Sequence, residues 1–138
     1  MDYDLDVLKG LLTKQNPIAI VGASNNPQKY GNIIYRDMRE AGYNVYPVNP
    51  KETEIEGDRC YDDLASLPQK PVIVNLVVPP PVTEKVVQRC KELEIDNIWM
   101  QPGSESPEAI RFCEENKMLA LYEICIMVVR RNFEASAP

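Results

Sequence analysis

The chain has 138 residues, of which 44% are hydrophobic and 26% are charged, and its net charge is −6. This length fits one domain over residues 1–138, and the negative charge argues against nucleic acid or an anionic membrane as a bulk partner. No apolar run reaches the roughly 20 residues of a membrane-spanning helix, and the acidic segment Met1–Asp6 does not read as a signal peptide, so a cytoplasmic location is expected.

Cysteine and histidine usage narrows the chemistry further. The four cysteines show no C-x-x-C spacing, and the chain contains no histidine. A zinc site is therefore not predicted, and a Ser-His or Cys-His nucleophile pair is excluded. We expect reduced thiols, no bound metal and no catalytic residue.

Helix and strand patterns alternate along the first half of the chain. Tyr3–Leu12 predicts a short helix, and the apolar run Ile18–Val21 predicts a strand. Pro27–Ala41 predicts a helix whose first position is taken by the proline. A second strand is predicted over Asn44–Val48, although Pro47 is unfavourable in a central strand.

The second half continues the alternation. Helices are predicted over Tyr61–Leu67, Val82–Leu93 and Pro107–Asn116, the first of them short. Strands are predicted over Val72–Val78, which reads as buried, Asn97–Gln101 and Leu119–Tyr122. The tail Ile126–Pro138 could add a strand or a helix, with loose structure over its last four residues.

Alternating strands and helices predict an α/β fold of the Rossmann-like, doubly wound class. We expect a parallel sheet of about five strands in the order 3-2-1-4-5, with helices on both faces. Ligands of such folds bind beyond the carboxyl ends of the strands, where the strand order reverses. The segments that follow the five predicted strands are therefore the candidate site.

The turn after the first strand has the layout of a nucleotide phosphate site. Gly22 permits a tight turn and a close approach of ligand to backbone, and Ala23 and Ser24 are small enough to leave that approach open. The following helix would present unpaired N–H groups to a phosphate.

The end of the second strand bears on the choice of nucleotide. An NAD site usually has Asp or Glu here, about 20 residues past the glycine turn, to hold the ribose diol. This chain has Asn49 and then Lys51 instead, which favours a ribose that carries an extra phosphate, as in coenzyme A (CoA) or NADP. An ordinary solvated role for Lys51 is an equally good interpretation of the pattern alone.

Two further strand ends have open interpretations. Val78, Pro79 and Pro80 could form a rigid apolar lip against an adenine ring, or could only end a strand and start a helix. Gln101 and Gly103 could line a pocket, or could only lead into the next helix.

Taken in order, these segments resemble the small stand-alone CoA-binding proteins, which have a Rossmann-like fold similar to the N-terminal domain of the succinyl-CoA synthetase α subunit. The resemblance covers Ile18 to Cys125. The motifs that carry it are Gly22-Ala-Ser-x-x-Pro27, Gly42-Tyr-x-Val45-x-Pro-Val-Asn49-Pro50, Glu54-Ile-x-Gly57, Tyr61-x-x-Leu64, Val78-Pro79-Pro80 and Trp99-x-Gln101-x-Gly103.

The resemblance implies a place for each part of CoA. The pyrophosphate would lie near Gly22–Ser24 and near Tyr30 and Gly31, with the adenosine end beside Asn49, Lys51 and Val78–Pro80. The pantetheine arm would pass Gln101–Gly103. Cys125 matches the family's Asp-Arg-Cys motif, but Ile124 stands where the arginine is usual, so a role that depends on that arginine is not expected here.

The predicted function is that of a cytosolic protein that binds CoA or an acyl-CoA as a small-molecule cofactor and is non-catalytic by itself. Two alternatives remain at this point: an NADP-dependent oxidoreductase, and a subunit of a CoA-ligase-type enzyme. Succinyl-CoA synthetase uses a phosphorylated histidine in a second domain, and this chain has no histidine. The sequence does not indicate a protein partner.

Overall fold

The computed structural model describes residues 3–135. It shows an α/β architecture in which five strands form a parallel sheet and two short strands form a separate hairpin. The sheet strands are β1 (Ile18–Val21), β2 (Val45–Val48), β5 (Ile73–Leu76), β6 (Asn97–Met100) and β7 (Leu119–Leu121), and the hairpin strands are β3 (Glu54–Ile55) and β4 (Asp58–Arg59). The helices are α1 (Leu5–Leu11), α2 (Tyr30–Glu40), α3 (Pro80–Glu92), α4 (Pro107–Glu115) and α5 (Ile126–Ala135).

The Rossmann-like fold class is confirmed, but the predicted strand order is wrong. The sheet runs β2-β1-β5-β6-β7. Counted among the five sheet strands in chain order, this is 2-1-3-4-5 rather than 3-2-1-4-5. The Ile73–Leu76 strand is fully buried and pairs with the first strand, and the second strand is left at the edge of the sheet.

Proline chemistry explains why β2 is an edge strand. Pro47 lacks the N–H that an interior strand needs for its second neighbour. Its carbonyl accepts a hydrogen bond from the Tyr61 N–H at 3.0 Å, and the Tyr61 carbonyl accepts one from the Asn49 N–H at 2.9 Å. The segment around Tyr61 therefore covers part of the outer edge with a single isolated bridge.

The two faces of the sheet carry separate hydrophobic cores. Side chains alternate between the faces, as the strand period of two requires. Ile18, Ile20 and Trp99 pack with α2 and α5 on one face, whereas Ala19 and Val74 pack with α3 and α4 on the other. The carboxyl ends of the strands lie between these helical layers.

Two local predictions also need correction. Pro27 does not open α2, because Lys29 has an extended conformation and the helix begins at Tyr30. The preceding residues form a turn of their own, in which the Asn26 side chain accepts from the Gln28 N–H at 3.0 Å. The short helix predicted over Tyr61–Leu67 is reduced to the single 3₁₀ turn Leu64–Ser66.

The tail contains a helix, α5, which the sequence left open between a strand and a helix. Loose structure is predicted for the last four residues; this is wrong for Ala135, which ends α5, and the rest of the prediction falls on residues 136–138, outside the described residues. Within residues 3–135, the longest helix, α3, has 13 residues, and none is long and apolar enough to cross a bilayer.

Candidate ligand-binding site

A cavity of about 600 Å³ opens at the carboxyl ends of β1, β2 and β5. The chain leaves β1 for β2 on one side and later returns to β5 on the other, so this is the point where the strand order reverses. We call this cavity the crevice. Its lining residues are Val21, Gly22, Ser24, Lys29, Tyr30, Gly31, Val48, Asn49, Pro50, Lys51, Asp62, Asp63, Leu64, Val77, Val78, Pro79, Val82, Val86 and Arg89.

Two glycines shape the floor of the crevice. Gly22 has a φ of +97°, and a Cβ atom there would overlap the Val77 carbonyl and lie 2.8 Å from Val78 Cγ1. A Cβ atom on Gly31 would overlap the Gly22 carbonyl. The start of α2 therefore lies directly against the end of β1, which places the first helical turn at the crevice.

The backbone around these glycines presents unpaired donors. Within residues 3–135, the N–H groups of Ser24, Tyr30 and Gly31 have no hydrogen-bond acceptor, and the N-cap of α2, Lys29, makes no side-chain cap. We call these three N–H groups the turn amides. Because helix N-termini carry partial positive charge, unpaired amides at this position attract an anion.

Neighbouring carbonyls are held by asparagine side chains. The Ala23 carbonyl accepts from Asn49 Nδ2 at 2.9 Å, and the Ser24 carbonyl accepts from Asn32 Nδ2 at 2.8 Å. Asn49 also accepts from the Lys51 N–H at 2.9 Å. Both ends of the Asn49 amide are thus engaged with the protein, so its observed contribution is to hold two loops together.

Three cations and two carboxylates surround the crevice. Arg89 forms a two-point ion pair with Asp63, from Nη2 at 2.8 Å and from Nε at 3.3 Å. Hydrogen bonds from this guanidinium lower the pKa of the Asp63 carboxyl. Among the described residues, the ammonium groups of Lys29 and Lys51 have no carboxylate within ion-pair distance, so both remain available to an anion.

The α3 side of the crevice is apolar. Val48, Leu64, Val78 and Val86 extend the core of that face to the cavity. Val82 is 40% exposed and Tyr30 is 67% exposed, and both large side chains lie at the crevice. This combination of an apolar wall and a cationic, amide-rich floor suits an amphipathic ligand that carries phosphate.

The structure brings eight of the predicted site residues together in the crevice: Gly22, Ser24, Tyr30, Gly31, Asn49, Lys51, Val78 and Pro79. The other six are outside its lining. Ala23 is fully buried behind the turn, and the remaining five are Pro27, Pro80, Gln101, Gly103 and Cys125.

Gln101 and Cys125 nevertheless lie together. Gln101 Nε2 is 3.3 Å from Cys125 Sγ, and Gln101 Oε1 accepts from the Ile126 N–H at 2.9 Å. Ile124, at the position where the family motif has arginine, packs against the core, and its carbonyl accepts from Trp99 Nε1 at 2.9 Å. These contacts join the end of β6 to the start of α5.

Sequence reasoning missed Lys29 and Arg89 as crevice residues. A signal for Arg89 was present, because Val82, Val86 and Arg89 recur at i, i+4 and i+7 on one face of α3. Lys29 could have been found only by placing the start of α2 at Tyr30. Within residues 3–135, no group of three or more Cys, Asp or Glu side chains is arranged to hold a metal ion.

Comparison with known proteins decides the family. Residues 16–131 match the model of the CoA binding domain family. The chain belongs to that family. As a CoA binding domain, it also resembles a solved structure, a conserved hypothetical protein from Pyrococcus furiosus, at 44% identity and a TM-score of 0.79, with coverage of 82% of this chain and 97% of that one.

Two sequence relatives place this CoA binding domain in context. The uncharacterized protein YneT of Bacillus subtilis is 27% identical over 121 residues, which cover 88% of this chain and 90% of the relative. The alpha subunit of ADP-forming acetate–CoA ligase II of Pyrococcus furiosus is 32% identical over 82 residues, which cover 59% of this chain. That match spans only 18% of the ligase subunit.

Proposed function

We propose that this CoA binding domain binds coenzyme A or an acyl-CoA in the crevice and is non-catalytic by itself. The observation that carries the proposal is the set of unpaired turn amides at the strand-order reversal, beside Lys29 and Lys51. A pyrophosphate would accept hydrogen bonds from these amides and gain from the two ammonium charges.

The adenosine end of the ligand fits the other half of the crevice. Val48, Val78 and Val86 offer an apolar surface for an adenine ring. Lys51 follows β2, where an NAD site would have a carboxylate for the ribose diol. A cation there supports a ribose that carries a phosphate, which CoA and NADP have and NAD lacks.

Family membership supports CoA over NADP. From the crevice, the pantetheine arm would run toward Gln101 and Gly103 and bring its thiol to the side of the sheet that holds Cys125. Strand β6 lies next to β5 in the sheet, so the step from the crevice to Gln101 crosses one strand spacing, about 4.8 Å.

A second candidate is that the chain serves as the CoA-binding part of a ligase-type enzyme. The match to the acetate–CoA ligase alpha subunit favours it. The chain has no histidine that a ligase of the succinyl-CoA synthetase type would phosphorylate, so under this candidate another polypeptide or domain would supply that step.

Calorimetric titration of the purified chain with CoA, dephospho-CoA, NADP and NAD tests the proposal. We expect CoA to bind more tightly than the other three. Preferential binding of NADP would support an oxidoreductase, and preferential binding of NAD would reject the assignment. For the ligase candidate, the release of phosphate from ATP in the presence of acetate and CoA is measured with the chain alone and after addition of cell extract.

A further inference from the structure

The β3–β4 hairpin contacts the turn that carries the turn amides, although neither hairpin strand lines the crevice. The contact runs through Asn25, which is exposed and is also outside the lining. Asn25 Nδ2 donates to the Glu54 carbonyl at 2.7 Å and to Glu52 Oε2 at 3.2 Å, and Asn25 Oδ1 accepts from the Glu56 N–H at 3.1 Å. One side chain therefore joins the turn to the hairpin with two hydrogen bonds, and to the residue Glu52 just before the hairpin with a third.

A buried asparagine makes a second connection between the same two segments. Asn32 is fully buried, and its Nδ2 donates both to the Ser24 carbonyl and to Glu56 Oε1, the latter at 2.7 Å. Its Oδ1 accepts from Arg36 Nε at 2.6 Å. The tip of the hairpin is thus tied to the carbonyl of a residue whose N–H is one of the turn amides.

The hairpin is itself fixed in position and conformation. Tyr35 donates to Asp58 Oδ2 at 2.6 Å, and Arg39 Nη1 donates to the same oxygen at 2.7 Å. Its two-residue loop, Glu56 and Gly57, has positive φ at both positions, as in a type I′ turn. The hairpin is therefore a rigid element anchored to α2, against which the turn can be held.

We propose that Asn25 is a positioning residue for the anion site: it docks the turn onto the hairpin, so that the turn amides are ordered before ligand arrives. The inference rests on the proposed function for the identity of the ligand and deepens it. Because the ordering cost is met in the free protein, binding does not have to supply it. By reciprocity, an anion in the crevice must stabilise the docked hairpin.

The affinity test compares Asn25→Ala with a matched control, Asn44→Ala. Asn44 also joins two segments through its side-chain amide, which donates to the Gln15 carbonyl at 3.4 Å and to Gln69 Oε1 at 3.1 Å, but it does not line the crevice. We expect Asn25→Ala to weaken CoA binding about tenfold. This loss corresponds to the net free energy of about one to two hydrogen bonds that hold the turn in place. The control should change CoA affinity by less than about twofold. Its thermal midpoint should change by about as much as that of Asn25→Ala.

A ligand-free measurement separates this inference from the proposed function. Backbone NMR order parameters of residues 23–26 should fall in Asn25→Ala and stay at the wild-type values in Asn44→Ala. If wild-type protein does not bind CoA, the proposed function fails, and the order parameters alone decide the role of Asn25. Unchanged order parameters in Asn25→Ala would overturn the role of Asn25. If the wild-type protein binds CoA, an unchanged CoA affinity in Asn25→Ala would overturn that role as well.

A second variant covers the case in which Asn25→Ala does not fold. Asn25→Asp keeps an oxygen that can accept from the Glu56 N–H, but it loses both donated hydrogen bonds and places a charge beside Glu52. Lower order parameters and weaker CoA binding are expected here as well. Wild-type values of both quantities in Asn25→Asp would contradict the inference.

Discussion

Gly31 lies so close to the carbonyl oxygen of Gly22 that a side chain on Gly31 would overlap that oxygen. The contact joins the first turn of α2 to the end of β1. It holds the N-terminus of α2 against the end of β1, where Gly22, Tyr30 and Gly31 line the crevice.

Replacing Gly31 with alanine should cost about 1–3 kcal/mol of the free energy of unfolding, because the new methyl group must displace backbone rather than a flexible side chain. CoA binding should fall in the same variant. Gly10→Ala is the matched control, since a Cβ there meets nothing within 4 Å and the residue lies within α1. It should gain up to about 1 kcal/mol. Urea denaturation of both variants measures this, and equal stability would disprove the close contact.

Lys51→Ala should narrow the preference for CoA over dephospho-CoA. A charge-assisted hydrogen bond to the ribose phosphate is worth about 1.5–3 kcal/mol, or roughly tenfold or more in affinity. If the ammonium stays solvated, the preference will be small and will fall with added salt. Lys70→Ala is the control, because Lys70 is exposed and precedes β5 at the opposite end of the sheet. Calorimetry with both ligands checks the prediction, and an unchanged preference in Lys51→Ala removes Lys51 from the site.

Asp37→Asn should destabilise the fold by on the order of 2 kcal/mol at neutral pH, the range for hydrogen bonds to charged groups. Burial opposes ionisation of this carboxyl, but hydrogen bonds from Arg130 and Arg131 outweigh it and lower its pKa. The ion pair of Asp37 with Arg130, at 2.7 Å, links α2 to α5 with both side chains largely buried.

The pH dependence of that effect follows from the direction of the shift. A carboxyl with a lowered pKa in the folded state stabilises the protein above the pKa of the unfolded chain, about 3.9, and this stabilisation is lost as pH falls through the folded pKa. The difference between wild type and Asp37→Asn should therefore shrink in acid. Glu92→Gln, which removes an exposed partner of Arg89, should change stability by less than about 1 kcal/mol. Equal losses in both variants would contradict the prediction.

Cys125 should be the first thiol alkylated by limiting iodoacetamide. Burial raises the pKa of Cys90 to about 12 and that of Cys113 to about 11, and it also raises the pKa of Cys60. These three thiols are buried, whereas Cys125 is only partly buried. Peptide mapping by mass spectrometry identifies the labelled residue. First labelling of Cys90 or Cys113 would show that the α3–α4 layer opens more readily than its packing implies.

The fold class could be predicted from the sequence because the apolar runs have strand length and alternate with helix-period segments. The strand order was predicted wrongly, although Pro47 carried the needed information. A proline that cannot donate to a second neighbour requires β2 at an edge, and the order 3-2-1-4-5 would have made it an interior strand. Applying that constraint before choosing a topology would have excluded 3-2-1-4-5 and placed β2 at an edge, as observed.

The crevice could be predicted only in part. Gly22, Lys51 and Val78 follow strands, so the rule for the carboxyl ends of parallel strands finds them. Arg89 lies on the third turn of a helix, and its direction depends on how α3 packs against the sheet. The three hydrogen bonds of Asn25 join segments about 30 residues apart, and such a contact leaves no local pattern in the sequence.

The segment around Tyr61 also affects how the protein behaves at high concentration. An exposed sheet edge can act as a template for a strand from another molecule, which begins aggregation. On β2, Pro47 has no N–H to offer, and Tyr61 occupies the Pro47 carbonyl and the Asn49 N–H. An incoming strand would find few free groups along this edge. The same proline that directs β2 to the outside of the sheet thus protects that edge from self-association.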